Sequence, residues 1–381
     1  MTIPNSAFIN WTENDKPRMA IWQSEANAAP PKRVVLADDT LAADVAYRLV
    51  CEGVGLLWRG DFQNAKQLLQ ALARRVDKAR QKKAKIADSP TEAFHRNRAA
   101  QIQRARILGL VLIEVDESYR VNLRRAPDVV LALNESFGAF CGVMVLSLRE
   151  LQGLIGAHEW RKKGVFVEAL NDTIHPYYGV FSPVRGEYVE LVARTPLSSS
   201  VSLAFDIGAG SGVLSAVLAK RGVERIVATD MDERALRCAS ENLTRMGFSA
   251  KIVLQAADLF PTNESKAQLI VCNPPWLPAK ANAPIEHAVY DPDSRMLKGF
   301  LNGLAAHLDV GGEGWLILSD LAEHLGLRLR QELLAWIEAA GLIVLGKLDV
   351  KPKHGKVFDK SDPLHSARGK EVTSLWRLGV G

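Results

Sequence analysis

The 381-residue sequence predicts an α/β domain over residues 171–381, built on a mostly parallel sheet, behind a mainly helical α+β domain over residues 1–170. Three observations carry this reading. The chain is longer than one hydrophobic core comfortably serves, so two domains are expected. After His175-Pro176 short apolar runs rich in β-formers alternate with helical patterns, and strands that read as continuous apolar runs belong to parallel sheets covered on both faces. The chain then closes on two strand-like runs joined by a long basic loop, which predicts a terminal antiparallel strand.

In order along the first domain, the opening ~30 residues, rich in Asn, Ala and Pro, read as an irregular arm. Apolar residues at helical spacing predict helices over 37–50 and 64–86, with Leu68, Leu69, Leu72 and Val76 as one buried stripe. Asp88-Ser89-Pro90-Thr91 breaks that helix and starts another that runs to about Leu108. Short strands follow over 109–115 and 119–123, then a helix over 127–137. In the second domain strands are predicted over 203–207, 225–229, 250–255, 267–272, 314–319, 342–349 and 371–378. Helices are predicted over 213–221, 233–246, 294–308 and 325–340.

Composition is that of a globular chain, 48% hydrophobic and 24% charged. No apolar run approaches the roughly 18 residues of a membrane span, and the N-terminus lacks a secretory pattern, so no membrane association is expected. The cysteines, Cys51, Cys141, Cys238 and Cys272, are scattered, as in a reducing cytoplasm. No metal is expected: His158-Glu159 begins like a zinc-protease helix, but Lys162 stands where the second histidine belongs. Charge is uneven. Between Lys66 and Arg106 twelve basic residues face three acidic ones, a local +9 in a chain whose net charge is +5.

The most specific signal is Asp206-Ile207-Gly208-Ala209-Gly210-Ser211-Gly212, directly after one predicted strand and before a helix. Glycines there let the backbone turn sharply and approach a ligand closely. The next strand ends in Thr229-Asp230, placed to hold ribose hydroxyls. These facts alone fit a nicotinamide enzyme or a methyltransferase. Asp206 favours the second, because a carboxylate there repels a dinucleotide pyrophosphate and suits the ammonium of S-adenosylmethionine. A third acidic strand end, Asp258-Leu259, offers an acceptor to the adenine amino group. The arrangement resembles the Rossmann-like class I S-adenosylmethionine-dependent methyltransferases over about residues 177–381.

A fourth strand ends in Asn273-Pro274-Pro275-Trp276. Two prolines stop the ladder and stiffen the backbone, holding the Asn273 oxygen and a nearby carbonyl as paired acceptors for a planar amino group. Trp276 is expected to stack on the flat acceptor. A strand-terminating turn with a core tryptophan is the plain alternative. The tetrapeptide resembles the Asn/Asp-Pro-Pro-aromatic signature of the "small" methyltransferase domain class, which modifies exocyclic or amide nitrogens. That class includes adenine-N6 and guanine-N2 nucleic-acid enzymes and the release-factor glutamine enzymes, which usually carry Tyr where this chain has Trp276. The resemblance implies substrate contacts at Asn273, Pro274, Pro275 and Trp276. It implies cofactor contacts at Asp206, Gly208, Gly210, Gly212, Asp230, Asp258 and Leu259.

Two substrates remain open. The basic segment, with Arg74, Arg75, Lys82, Lys83, Arg96 and Arg98, and the C-terminal loop, with Lys351, Lys353, His354, Lys356, Lys360, Arg368 and Lys370, suit a phosphate backbone. This favours an exocyclic base amino group in RNA. The likeness of Asp258-Leu259-Phe260 and Asn273–Pro278 to the glutamine enzymes favours a protein glutamine, whose amide offers the same planar donor pair. A scaffold that binds S-adenosylmethionine without catalysis is a lesser alternative. The segment 177–181, His287, Tyr290 and His365 are further candidates for the site's rim.

Overall fold

The computed structural model describes residues 7–83, 87–138, 142–184, 186–197, 201–262, 265–281, 284–352, 358–360 and 362–381. Its contacts divide the chain into two compact units, Met1–Ala87 with His95–Glu159, and Asp88–Phe94 with Trp160–Gly381.

The first unit holds β1 (Phe8–Glu13), β2 (Lys16–Trp22), β3 (Arg33–Ala37), α1 (Ala43–Cys51), β4 (Val54–Trp58), α2 (Phe62–Lys83) and most of α3 (Pro90–Leu108). β5 (Val111–Val115), α4 (Val130–Phe137), β6 (Met144–Ser147) and most of α5 (Leu148–Lys163) complete it. The strands form one sheet in the order β1-β2-β6-β5-β4-β3. Its strand content exceeds what the pattern predicts, chiefly at the start. The expected arm is a hairpin that pairs Phe8 with Ile21 and Glu13 with Lys16. Asn14 and Asp15 both take positive φ, 51° and 58°, as a two-residue turn matched to strand twist requires. Ile9 and Trp11 are buried while Phe8 and Asn10 are exposed, the period-2 signature of a half-buried strand. The strand expected over 119–123 does not form. Asp116 Oδ1 accepts from the main-chain N–H groups of Ser118 and Arg120, both at 2.9 Å, and this local turn replaces ladder bonds.

The second unit opens with a short hairpin of β7 (Val165–Val167) and β8 (Asp172–Ile174), then α6 (Glu187–Arg194). There follow β9 (Leu203–Ile207), α7 (Val213–Lys220), β10 (Arg225–Asp230), α8 (Glu233–Arg245), β11 (Ile252–Ala256), β12 (Ala267–Cys272), α9 (Arg295–His307) and β13 (Leu308–Ser319). The chain closes through α10 (Leu321–His324), α11 (Arg330–Ala339), β14 (Leu342–Val350), α12 (His365–Arg368) and β15 (Thr373–Val380). The sheet order is β11-β10-β9-β12-β13-β15-β14, and β15 runs antiparallel to both its neighbours. Every residue of β9 is buried. Ala204 packs with Val217, Ile226 and Val271 on one face, and Phe205 with Ile270, Phe300 and Leu304 on the other. On α9, Leu297, Phe300, Leu301 and Leu304 are fully buried at helical spacing, each worth about 1.5–3 kcal/mol of apolar burial. The helix expected over 325–340 starts later, at Arg330: Gly326, at φ +66°, follows the end of the short α10, and Glu332 accepts from the Leu329 N–H at 2.6 Å to start α11. Strand order reverses between β9 and β12, which opens a crevice at their C-terminal ends.

Candidate active site

The crevice is a cleft of about 560 Å³, within the usual range for a small-molecule pocket. Gly208, Gly210, Asp230, Asp258, Leu259, Asn273 and Pro275 share its wall, so the two sequence motifs meet in one site.

The glycine loop is pinned to the next strand: the N–H groups of Gly208 and Ala209 donate to the Thr229 carbonyl at 2.9 and 2.8 Å. Gly208, Gly210 and Gly212 have φ of +80°, +54° and +79°, values L-residues rarely adopt. Their roles differ. A Cβ on Gly210 would meet nothing within 4 Å, so that position leaves open space for a ligand. One on Gly212 would stand 3.1 Å from Ala239 Cβ. Gly212 therefore serves the close approach of α7 to α8 and does not line the cleft.

Asp230 holds the loop from the other side. Its Oδ2 accepts from the Gly210 N–H at 2.9 Å and its Oδ1 from the Asp232 N–H at 3.0 Å. Burial raises its pKa. Asp206 is 1% exposed and lies inside the wall rather than on its surface. Its Oδ2 accepts from Ser215 Oγ at 2.5 Å, while its Oδ1 has no hydrogen-bond partner. Burial, opposed by the Ser215 bonds and aided by the Asp230 charge, pushes its carboxyl up to about 6. A buried acceptor without a donor beside an open cleft fits a cationic group brought by a ligand. Asp258, expected at the adenine amino group, forms an ion pair with Arg295. Leu259, at φ 76°, accepts through its carbonyl from Thr229 Oγ1, and Gly299 leaves room for its side chain.

The second motif departs from expectation. Asn273 and Pro275 line the cleft, but Pro274 is buried and Trp276 does not line it. The Trp276 ring packs against both faces of the core, and its Nε1–H donates to Asn273 Oδ1 at 3.0 Å. The segment after it returns to the cleft. Leu277 N–H donates to the Val289 carbonyl at 3.1 Å and the Asp291 N–H to the Leu277 carbonyl at 2.8 Å. This places His287 and Tyr290 on the wall, where the sequence suggested them, and Gly179, Val180 and Phe181 line it as well.

Two wall elements went unread in the sequence. Tyr188 on α6 is buried against the cleft. Asp291 Oδ1 and Oδ2 accept from the Met296 and Leu297 N–H groups at 2.9 and 3.1 Å, capping α9 and bringing Arg295 and Met296 to the wall. Asp291-Pro292 ahead of an apolar periodic run was the available signal.

The basic residues of the first unit do not act as one free surface. Arg75 is bound to Asp44 through Nε and Nη2 at 2.9 and 2.8 Å, and Arg98 is buried. Arg74, Lys78, Lys82 and Arg96 are exposed. The side chain of Lys83, like Lys353, His354 and Lys356, lies outside the described residues. Arg368 pairs with Asp362 at 2.8 Å, and His365 stands on α12. Among the described residues no group of His, Cys, Asp and Glu side chains is placed to hold a metal, and no helix is long and apolar enough to cross a membrane.

Residues 173–328 match the methyltransferase small domain family. Over 191 residues the chain is 28% identical to a release factor glutamine methyltransferase of Cereibacter sphaeroides, an alignment covering 47% of this chain and 64% of that one. Over 101 residues it is 37% identical to a tRNA1(Val) (adenine(37)-N6)-methyltransferase of Shewanella loihica, covering 25% and 41%. Over 145 residues it is 30% identical to a ribosomal RNA small subunit methyltransferase C of Haemophilus influenzae, covering 38% and 40%. The chain spans less than two thirds of each of these relatives.

Proposed function

We propose that this chain, a class I S-adenosylmethionine-dependent methyltransferase by its residues 173–328, methylates a planar amino nitrogen, and that the acceptor is an exocyclic base amino group in RNA. The carrying observation is that Asn273 and Pro275 share one cleft wall with Gly208, Gly210 and Asp230. Bound S-adenosylmethionine supplies an electrophilic methyl group. The open space at Gly210 supports a close approach of the cofactor to the loop, Asp230 on the cleft wall is assigned to its ribose, and the unpartnered Asp206 Oδ1 is assigned to its ammonium. Asn273 Oδ1 and a neighbouring carbonyl accept the two N–H bonds of the acceptor and aim its lone pair into the cleft. Positioning of this kind supplies much of a rate enhancement when the donor is already reactive. The proton released from nitrogen leaves toward solvent past His287, which is exposed at the rim.

RNA is favoured by the exposed Arg74, Lys78, Lys82 and Arg96, whose charge suits phosphate. A protein glutamine is the second reading, supported by the 191-residue likeness to a release factor glutamine methyltransferase. The test supplies methyl-labelled cofactor and purified protein to a lysate of cells lacking it, then divides the product among ribonuclease, deoxyribonuclease and protease. Label lost to ribonuclease supports RNA. Label that survives both nucleases and is lost to protease overturns it in favour of the glutamine reading.

A further inference from the structure

The aromatic residue of the second motif is expected to stack on the acceptor, and its indole N–H is turned to the motif's own asparagine. Trp276 is half-buried, packs against both core clusters and is absent from the cleft wall. Its one polar atom, the indole Nε1–H, is spent on Asn273 Oδ1 at 3.0 Å. An indole N–H is a donor only, whereas an asparagine carboxamide carries an acceptor oxygen and a donor NH₂ that exchange places by a simple flip. With the flipped amide, Nδ2–H₂ would face the indole N–H, donor against donor. Oδ1 has two acceptor sites, and the indole occupies one. The other stays available to an amino N–H of the acceptor. Phe181, Tyr188, His287 and Tyr290 all bring flat side chains to the wall, and of these Tyr290 is tied to the motif's own segment, by a β-bridge to Leu277.

We infer that Trp276 is a positioning residue that locks the Asn273 carboxamide with its oxygen presented to the acceptor, and that the stacking face for the acceptor is Tyr290. This rests on the assignment of Asn273 as the acceptor-binding group. It goes beyond that assignment by moving the stacking role off the motif's own aromatic.

The test combines a structural and a kinetic arm. In a nitrogen-labelled protein the indole N–H resonance of Trp276, assigned by its loss in Trp276→Phe, should shift and exchange faster with solvent in Asn273→Ala. An unmoved resonance overturns the lock whatever the substrate proves to be. In the kinetic arm the acceptor is total RNA from cells lacking the protein, or the protein fraction if wild type labels that instead. Trp276→Phe keeps a core ring and loses the N–H. It should lower kcat about tenfold, the effect of one hydrogen bond of about 1.4 kcal/mol, with acceptor KM and cofactor affinity unchanged. Asn273→Asp has two acceptor oxygens and no flip to control, so adding Trp276→Phe to it should cost less than about twofold. Tyr290→Ala should raise acceptor KM about tenfold, in line with the usual worth of base–aromatic stacking. A raised KM in Trp276→Phe that persists beside Asn273→Asp, with Tyr290→Ala silent, restores the stacking role to Trp276 and overturns the inference. Failure of wild type to label RNA sinks only the RNA assignment.

Discussion

The most quantitative consequence concerns Asp206 and pH. Without a ligand its carboxyl is raised from 3.8 to about 6 by burial. A raised acid pKa means the native state holds the proton more tightly than the unfolded chain. The sign follows: this group lowers stability as pH rises from 3.8 to about 6, by up to about 3 kcal/mol in all, and no further above that window. An ammonium at the amino-acid end of the cofactor reverses the situation by favouring the carboxylate. If it restores the ordinary value, binding releases a proton below pH 6, and affinity weakens about tenfold from pH 7 to pH 5. The cofactor's own α-amino group stays protonated across that range. Calorimetric titration with S-adenosylhomocysteine, which keeps the same amino-acid portion, reads the effect directly. Asp206→Asn should bind more weakly at pH 7, lose this pH dependence and be more stable without ligand. Asp230, also raised by burial, is present in both proteins, so an Asp230→Asn variant run in parallel separates its share from that of Asp206. Equal pH dependence in wild type and Asp206→Asn would refute the ammonium assignment.

Other perturbations separate the parts of the site. Asn273→Ala should reduce methyl transfer at least a hundredfold, the scale of losing an oriented reactant, with cofactor affinity within about twofold; joint loss of both, read by turnover and calorimetry, would point to a folding defect. Gly210→Ala places a side chain at φ +54° with its Cβ in open space. It should cost about 1 kcal/mol in a denaturant melt and weaken cofactor binding as well, whereas unchanged binding would move the ligand off the loop. Reversing Arg74, Lys78, Lys82 and Arg96 to Glu should weaken RNA binding and flatten its dependence on salt. The same slope in both proteins, from filter binding across a salt series, would exclude those four residues from phosphate contact.

The parts of the fold legible in the sequence are those fixed by local chemistry. β9 and β12 begin and end where the apolar runs do, over 203–207 and 267–272, because strands buried on both faces read as near-continuous apolar runs, here interrupted only by Asp206 and Gln268. The glycines with positive φ and the acids at strand ends were legible for the same reason. The hairpin β1–β2 was not, because neighbouring Asn, Pro and Ala masked a two-residue turn at Asn14-Asp15. Placements made by the tertiary fold were illegible too. Asp258 and Arg295 are 37 residues apart and meet only once α9 packs on the sheet. Arg98 looks solvated within a basic run, yet it is buried. Trp276 sits in a motif whose pattern says stacking, and that pattern carries no trace of its packing against both core clusters or of its bond to Asn273.

The most direct measurement incubates purified protein, S-adenosylmethionine with a deuterated methyl group, and total RNA from cells lacking the protein, then digests the RNA and identifies the labelled nucleoside by mass spectrometry. The expected result is label on the exocyclic amino nitrogen of a base, present with wild type and absent with Asn273→Ala. Label on ribose or on a ring carbon, or label that persists undiminished in Asn273→Ala, would contradict the assignment of Asn273 to an amino-group acceptor.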